Sequence, residues 1–425
     1  MLLTRFGLTC VKGTTLEDTF RQNIACTPLW SAIPIEENAE LIVDAHLAFL
    51  RAGAEIILTS TYVYKNRHTP DEKIVSQKFG MYRYQCSRET FEQAGYAPEE
   101  GIQIMRKAVR LADDARKAYI AEGGGVPTKE VSVALSLGPF GSAVKPPQDF
   151  DGFYPPPFGP KGPSDELGSG GSNTRLFSSS GDPGVVVEEE EKRAIEALAG
   201  FHLWRLRAVA SDAETWNSVD YVAFETVPHL RELRAIKVAM ARFDAENTRR
   251  GGGLKGWWIS LVFPDGEGSV QWGPGEREHQ TRDLADRGQS EILNVVLDGR
   301  IGAVPTGLGI NCTRVDQYPS ILSSITSRFH RGSPSEEEEG KGPVPLTLVI
   351  YPNGGRFGDT FDHLTYRWTN DGGPRPDSRN ITWEEEVVEV VQKCRDEWKD
   401  VIVGGCCRVY PPQIKRLREK VNEAL

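Results

Sequence analysis

The stretch that decides the fold lies near the end of the chain and reads Val401-Ile402-Val403-Gly404-Gly405-Cys406-Cys407. Its β-branched residues predict a short buried strand, which the two glycines end. Two prolines and an apolar repeat at helical spacing follow, at Pro411, Pro412, Ile414, Leu417, Val421 and Leu425. The pattern indicates a strand, a tight turn and a helix, with two cysteines at the carboxyl end of the strand.

The adjacent cysteines allow two interpretations. Neighbouring residues reach the geometry of a disulfide only with strain, so a bond between Cys406 and Cys407 is not expected. Two thiolates side by side at the mouth of a strand suit a soft metal ion such as zinc. The same residues also suit a pair of small, buried apolar side chains. This stretch alone does not decide between the two.

Composition excludes several classes of function. The chain has 425 residues, of which 39% are hydrophobic and 26% charged, enough for one large α/β barrel with insertions or for two ordinary domains. A net charge of −10 argues against a nucleic-acid or membrane-surface role, and no apolar run approaches a membrane span. The seven scattered cysteines do not suggest a disulfide framework, so a cytoplasmic location is the simplest expectation.

Strand and helix patterns alternate along the chain. Seven strand patterns run from residue 54 to residue 407, and one more at the amino terminus would complete a (β/α)8 TIM barrel. We predict this barrel as a single domain over residues 1–425, with flexible surface insertions at 145–184 and 331–344. A doubly wound open sheet is the alternative, weakened because no Gly-x-Gly-x-x-Gly follows a strand.

Local signals mark two helix starts and one core histidine. Thr313-x-x-Asp316 and Thr382-x-x-Glu385 are both typical of a capping box at the beginning of a helix. His46 lies on the apolar face of the first predicted helix, so we interpret it as a packed core residue.

Four residues with chemical potential share one position in the pattern. Glu225, Cys312, Cys406 and Cys407 each stand at the carboxyl end of a predicted strand, just before a helix. In a barrel these ends meet on one face, where active sites lie. The cysteines, from the sixth and eighth strands, would then form a site with three protein ligands and one open position, as in catalytic zinc sites. A carboxylate at the end of an apolar strand, as at Glu225, needs a partner.

At this point the sequence resembles the homocysteine S-methyltransferase family, as a fungal-type member with insertions. Gly309-Ile310-Asn311-Cys312 and Gly404-Gly405-Cys406-Cys407 match the zinc motifs of the family. Supporting matches follow the family order at residues 28–31, 52–57, 59–62, 136–141, 224–226 and 351–354. One departure concerns the first strand, where the family has Asp-Gly-Gly-x-Gly-Thr. Residues 13–17 fit only the end of that motif, and the family's aspartate has no counterpart.

The resemblance implies a zinc-dependent enzyme that acts on small molecules, with neither nucleic acid nor membrane as a partner. A methyl group would pass from a sulfonium donor, S-methylmethionine or S-adenosylmethionine, to zinc-bound homocysteine thiolate and give methionine. Cys312, Cys406 and Cys407 would hold the Zn²⁺ ion. Glu225 would pair with the homocysteine ammonium, and Thr61 with its carboxylate.

Several alternatives stay open from the sequence. Glu225 is also compatible with a helix amino-terminal acid that pairs with the backbone dipole. Asn311 and Asn353 are either supports of the site or turn residues. The protein as a whole is also compatible with a zinc-binding pseudoenzyme that lost the first-strand aspartate, or with a methyltransferase for another thiol.

Overall fold

The computed structural model describes residues 4–10, 35, 38–61, 86–123, 131–144, 148–150, 152–160, 185–263, 292–326, 344–355, 359–362, 367–370 and 380–424. Its strands are β1 (Thr4–Cys10), β2 (Ile56–Leu58), β3 (Ser132–Leu137), β4 (Tyr221–Val227), β5 (Gly256–Leu261), β6 (Gly307–Arg314), β7 (Val344–Asn353), β8 (Asp359–Asp362), β9 (Arg367–Asn370) and β10 (Trp398–Gly405). Its helices are α1 (Ala39–Arg51), α2 (Arg88–Gln93), α3 (Pro98–Ala121), α4 (Val185–Ala210), α5 (Ala213–Asn217), α6 (Leu230–Arg249), α7 (Tyr318–Thr326), α8 (Trp383–Cys394) and α9 (Pro411–Ala424).

Parallel strands form one curled sheet in sequence order. β2 to β7, followed by β10, each pair in parallel with the next strand. β1 pairs in parallel with β2 on one side and with β10 on the other. When β1 is included, the order of the strands is that of a closed barrel. The predicted α/β class with a parallel sheet is confirmed. The doubly wound alternative is wrong, because the strand order contains no point at which the winding reverses.

Side chains that alternate along the strands supply two apolar layers. Those facing outward pack against the helices and make the large core, as Leu135, Phe224 and Ile310 do. Those facing inward, together with residues just beyond the strand ends and Phe150 from the segment after β3, form a smaller inner cluster of Ile56, Leu58, Ala134, Phe150, Ala223, Trp258, Val262, Cys312, Val349, Tyr351, Ile402, Cys406 and Cys407. The predicted metal ligands therefore lie inside the curve of the sheet.

Local predictions have mixed outcomes. The Thr382–Glu385 capping box begins α8 as predicted, and His46 is fully buried in α1. The Thr313–Asp316 box is wrong, because a short 3-10 helix begins at Val315 and Arg314 is its N-cap residue. Instead, the Thr313 hydroxyl donates to the Asn311 carbonyl at 3.0 Å, and β6 continues past Cys312 to Arg314.

The two predicted insertions are only partly described. Within 145–184, Phe150 and Tyr154 are buried, and the Phe158 ring stacks on Phe140 with ring centroids 3.8 Å apart. This part packs against the core, contrary to the expectation of a surface segment. Residues 145–147, 151, 161–184 and 331–343 lie outside the described residues, as do residues 13–17 of the first-strand motif. None of the helices that the structure describes has the length and apolar character needed to cross a bilayer.

Candidate metal centre

Three thiols meet where β6 and β10 end, as the sequence predicted. Sγ of Cys312 lies 2.9 Å from Sγ of Cys406 and 3.9 Å from Sγ of Cys407. All three side chains are buried, and their sulfur atoms lie within 4.8 Å of one another. Among the described residues, no further Cys, His, Asp or Glu joins this group.

The end of β7 positions the two adjacent cysteines through main-chain hydrogen bonds. The Cys406 N–H donates to the Pro352 carbonyl at 2.8 Å, and the Gly354 N–H donates to the Cys407 carbonyl at 2.7 Å. A Cβ atom at Gly354 would lie 2.2 Å from the Arg408 carbonyl oxygen, so only glycine permits this approach. Asn353 contributes through its backbone, since its carbonyl accepts a hydrogen bond of 2.9 Å from Trp383 Nε1.

Asn311 connects the end of β4 to the thiols. Its Oδ1 accepts from the Thr226 N–H at 2.8 Å, and its Nδ2 donates to Thr226 Oγ1 at 2.8 Å. The same Nδ2 lies 3.3 Å from Sγ of Cys312 and 3.7 Å from Sγ of Cys406. Thr226 and Cys312 have positive φ angles of 59° and 51°, which non-glycine residues adopt rarely. The amide therefore holds a strained strand end and directs a donor at sulfur.

The donor set fits a soft metal ion. Tetrahedral zinc with Zn–S bonds of about 2.3 Å separates its sulfur ligands by about 3.8 Å, close to the 3.9 Å between Cys312 and Cys407. The 2.9 Å between Cys312 and Cys406 is shorter, so these two sulfur atoms would have to move apart around an ion. Burial, and then hydrogen bonding with Cys406 and Cys407, raises the pKa of the Cys312 thiol well above its usual range. A bound cation reverses this preference, because a coordinated thiol is deprotonated.

Glu225 projects from β4 into the same interior. It is fully buried, it lies two positions after the inward-facing Ala223, and the Ser136 hydroxyl donates to its Oε2. Burial, and then the charge of Glu225, raises the pKa of Tyr351, whose ring belongs to the inner cluster with the thiols. The helix-terminus alternative does not fit, because Glu225 lies within a strand and α6 begins only at Leu230.

Thr61 lies just beyond β2, where its hydroxyl already has partners. The Ser136 N–H donates to Thr59 Oγ1 at 3.0 Å, the Thr59 and Thr61 hydroxyl oxygens lie 2.7 Å apart, and the Thr61 hydroxyl donates to the Ser136 carbonyl. This ring of hydrogen bonds joins the ends of β2 and β3. Thr61 therefore holds Ser136, and its binding of a substrate carboxylate stays a prediction.

Two residues of this site were not singled out from the sequence. Ser136 is the hydrogen-bond partner of Glu225, and Thr226 is the strained residue that Asn311 holds. Ser136 stands at the carboxyl end of β3, so its position carried the same signal as that of Glu225. Thr226 carried no comparable signal, because its positive φ depends on a partner from another strand.

Comparisons with known proteins identify relatives over nearly the whole chain. A family model described as homocysteine S-methyltransferase matches residues 12–421. The chain is 25% identical over 401 residues to betaine-homocysteine S-methyltransferase of Drosophila melanogaster. The matched region covers 93% of this chain and 87% of that relative. It is 23% identical over 395 residues to homocysteine S-methyltransferase of Escherichia coli strain K12, covering 92% and 88%.

A solved structure supports the fold. The metallated form of the homocysteine methyltransferase MmuM from Escherichia coli superimposes with a TM-score of 0.57, at 21% sequence identity. The match covers 98% of this chain and 96% of that chain. At this level of identity the similarity shows a shared fold.

Proposed function

The chain belongs to the homocysteine S-methyltransferase family, and from this premise we propose that its metal is zinc and its methyl donor a sulfonium compound. The observation that carries the proposal is the group of three buried thiols at the ends of β6 and β10. Such a soft donor set favours zinc over Mg²⁺, Ca²⁺ or Mn²⁺. In this proposal Cys312, Cys406 and Cys407 hold the ion and leave one position open for the substrate sulfur.

Each part of the site then has a role in methyl transfer. When held by the three cysteines, zinc would lower the pKa of the homocysteine thiol, so that near neutral pH its sulfur would be the thiolate that attacks carbon. In this proposal Glu225 would pair with the substrate ammonium and Thr61 would bind the substrate carboxylate. Asn311 directs its Nδ2 at the ligand sulfur atoms and holds Thr226, the strained residue that follows Glu225 in β4.

The charge of the ligands favours a cationic methyl donor, and among cationic donors a sulfonium is proposed because a neutral thioether leaves carbon more readily than a tertiary amine does. Three thiolates leave the site anionic, so the methyl donor must carry its own activation. In the reaction a carbon–sulfur bond forms to homocysteine while the donor's carbon–sulfur bond breaks. The electron pair of the broken bond stays on the donor sulfur, which leaves as a neutral thioether. S-Methylmethionine and S-adenosylmethionine both meet this requirement.

The metal assignment is tested by metal analysis of variants. Cys406→Ser and Cys407→Ser should each lose most of the zinc, because a hydroxyl is a poor replacement for a thiolate ligand. Cys394→Ser is the matched control, since Cys394 is also a buried free thiol but lies in α8, outside the group. Full zinc retention in both ligand variants would contradict the assignment.

The donor assignment is tested by turnover of the zinc-loaded protein. Methionine should form from homocysteine with S-methylmethionine or S-adenosylmethionine and not with betaine, the quaternary ammonium donor. Turnover with betaine alone would overturn the sulfonium proposal. Failure with every donor would favour the pseudoenzyme, and methylation of a different thiol would favour the third alternative.

The remaining expectations also belong to this proposal. We place the site in a complete (β/α)8 TIM barrel that forms one domain over residues 1–425, and the pairing of β1 with β2 and β10 supports this. A cytoplasmic location is supported by the free thiols among the described cysteines. Homocysteine and the methyl donor are the expected partners, without nucleic acid or membrane.

A further inference from the structure

A buried polar network lies beside the site, centred on Glu232 in the first turn of α6. The Glu232 carboxylate is fully buried and accepts hydrogen bonds from the Phe140 N–H at 2.6 Å and from the Tyr154 hydroxyl at 2.5 Å. His202 Nε2 lies 3.0 Å from the same carboxylate, and Arg205 donates to His202 Nδ1 at 2.5 Å. Arg205 also donates to the Gly138 carbonyl at 2.9 Å.

The hydrogen bonds define the charge of each member. Because Arg205 donates to His202 Nδ1, the histidine proton lies on Nε2 and is donated to Glu232. Burial, and then the charge of Arg205, lowers the pKa of His202 to about 4, so the ring is neutral. Burial opposes ionisation of Glu232, but bonds from His202 and Tyr154 outweigh it and lower its pKa. One anion and one cation are thus linked by a neutral imidazole.

Tyr154 connects this network to the segment of residues 148–150 and 152–154, which includes Phe150 of the inner cluster. The segment begins against the turn after β3, where the Gln148 N–H donates to the Gly141 carbonyl at 2.7 Å. It then passes the start of α6, where Gly152 has φ +70° and a Cβ atom would lie 2.7 Å from the His229 ring. Phe150, between these two contacts, belongs to the inner cluster that contains the three thiols.

We propose that Glu232 is a positioning residue for the methyl donor. Through Tyr154 it fixes the part of the chain that carries Phe150, and thereby holds that ring in the inner cluster to which the thiols belong, where the ring would face the sulfonium cation. An aromatic face attracts a cation most strongly where water is excluded, and Phe150 is buried. A buried ion pair adds little stability compared with apolar residues of the same size, which favours a positioning role for this network. The inference rests on the proposed sulfonium donor.

The test measures binding of S-methylmethionine to the zinc-loaded full chain by calorimetry, without turnover. Tyr154→Phe removes one hydroxyl and keeps the ring, and Phe150→Leu removes the aromatic face. Each should raise the Kd of S-methylmethionine about tenfold and leave zinc content and homocysteine affinity unchanged. The double variant should bind about as weakly as Phe150→Leu alone, because both changes act through one ring.

A matched control separates positioning from a general loss of stability. Asp113→Asn alters another buried, hydrogen-bonded side chain. One partner, Ser218, lies just before β4, and the other, Arg116 of α3, also donates to Asp220, so this cluster is at the opposite end of β4 from Glu225. Asp113→Asn should lower stability without changing donor affinity.

Each contrary outcome has a distinct meaning. Equal loss of donor affinity in Asp113→Asn, or fully additive effects in the double variant, would overturn the positioning role. Normal donor binding in both single variants would do the same while leaving the proposed function intact. A wild-type protein that binds homocysteine but no sulfonium compound would overturn both proposals.

Discussion

Glu225 is expected to bind substrate and not metal, because it lies outside the group of three thiols. Its carboxylate lies inside the sheet, and Ser136 supplies a neutral hydrogen bond to it. A substrate ammonium bound beside this buried carboxylate would pair with its charge. Because the family's first-strand aspartate has no counterpart here, Glu225 would contribute a larger share of amine recognition than it does in the family at large.

Glu225→Gln should therefore weaken homocysteine binding and leave zinc content unchanged. The loss of a charge-assisted hydrogen bond is expected to cost roughly 1.5–3 kcal/mol, or about ten- to a hundredfold in Kd. Calorimetric titration of homocysteine into the zinc-loaded variant provides the measurement. Glu384→Gln is the control, because Glu384 is a buried carboxylate that pairs with Arg416 on α9. Unaltered affinity in Glu225→Gln would mean that another group binds the amine.

At the scale of single residues, the sequence predicts which side chains belong to the site better than it predicts their hydrogen-bond partners. Cys312, Cys406 and Cys407 were predictable because each follows an apolar strand and precedes a helix. Thr313 was misassigned because its sequence spacing fits a helix cap, whereas its hydroxyl bonds within β6 and accepts from the Phe263 N–H at 3.0 Å. A capping pattern describes local geometry, and here a neighbouring strand competed for the same hydroxyl.

Among the elements, β6 is tightly packed at Gly309. Gly309 lies between β5 and β7, and a Cβ atom there would lie 2.3 Å from Ser260 Oγ and 2.7 Å from the Val349 carbonyl oxygen. The backbone oxygen cannot rotate away, so a larger residue must displace β6 itself. Cys312 lies three positions further along that strand.

Gly309→Ala should consequently destabilise the fold by about 1–3 kcal/mol, typical of overpacking, and weaken zinc binding as well. Gly200→Ala is the matched control, because no atom outside its own helix lies within 4 Å of a Cβ there and alanine is favoured by about 1 kcal/mol in a helix interior. Urea unfolding and zinc competition with a chelator measure the two effects. If Gly309→Ala were as stable and as zinc-rich as Gly200→Ala, the close packing of β6 would be wrong.

Element order was predictable because apolar strands alternate with amphipathic helices. Strand ends were less predictable where the site extends them, as β6 and β7 continue to Arg314 and Asn353. Residues 148–160 were predicted as surface because they lack apolar periodicity. Phe150 is buried in the inner cluster, and Tyr154 is buried where it donates to Glu232. Such individual contacts leave no periodic pattern in the sequence.

At the scale of the whole molecule, two buried histidines link stability to pH. The Glu232 network was beyond sequence reasoning because its members come from α4, α6 and two connecting segments. Its His202 is neutral, and so is His46 in α1, whose pKa burial lowers to about 3. Neither ring nitrogen of His46 has a hydrogen-bond partner in the described part of the chain.

The sign of the pH effect follows from these lowered pKa values. Above about pH 6.5 a histidine is neutral in both the folded and the unfolded chain, so it adds no pH dependence. Below that value the unfolded chain binds a proton that buried His46 does not bind until about pH 3. The free energy of unfolding therefore falls as the pH falls, by up to about 1.4 kcal/mol per pH unit for each such histidine.

Replacing His46 should remove its share of this acid sensitivity. Between pH 7 and pH 5, the free energy of unfolding of His46→Leu should gain about 2 kcal/mol relative to wild type. Urea unfolding of both proteins at the two pH values gives the difference, in which the acid-dependent contributions of His202 and of the thiols cancel because both proteins contain them. A difference that stays constant between the two pH values would mean that His46 is protonated, or exposed to solvent, in the folded protein.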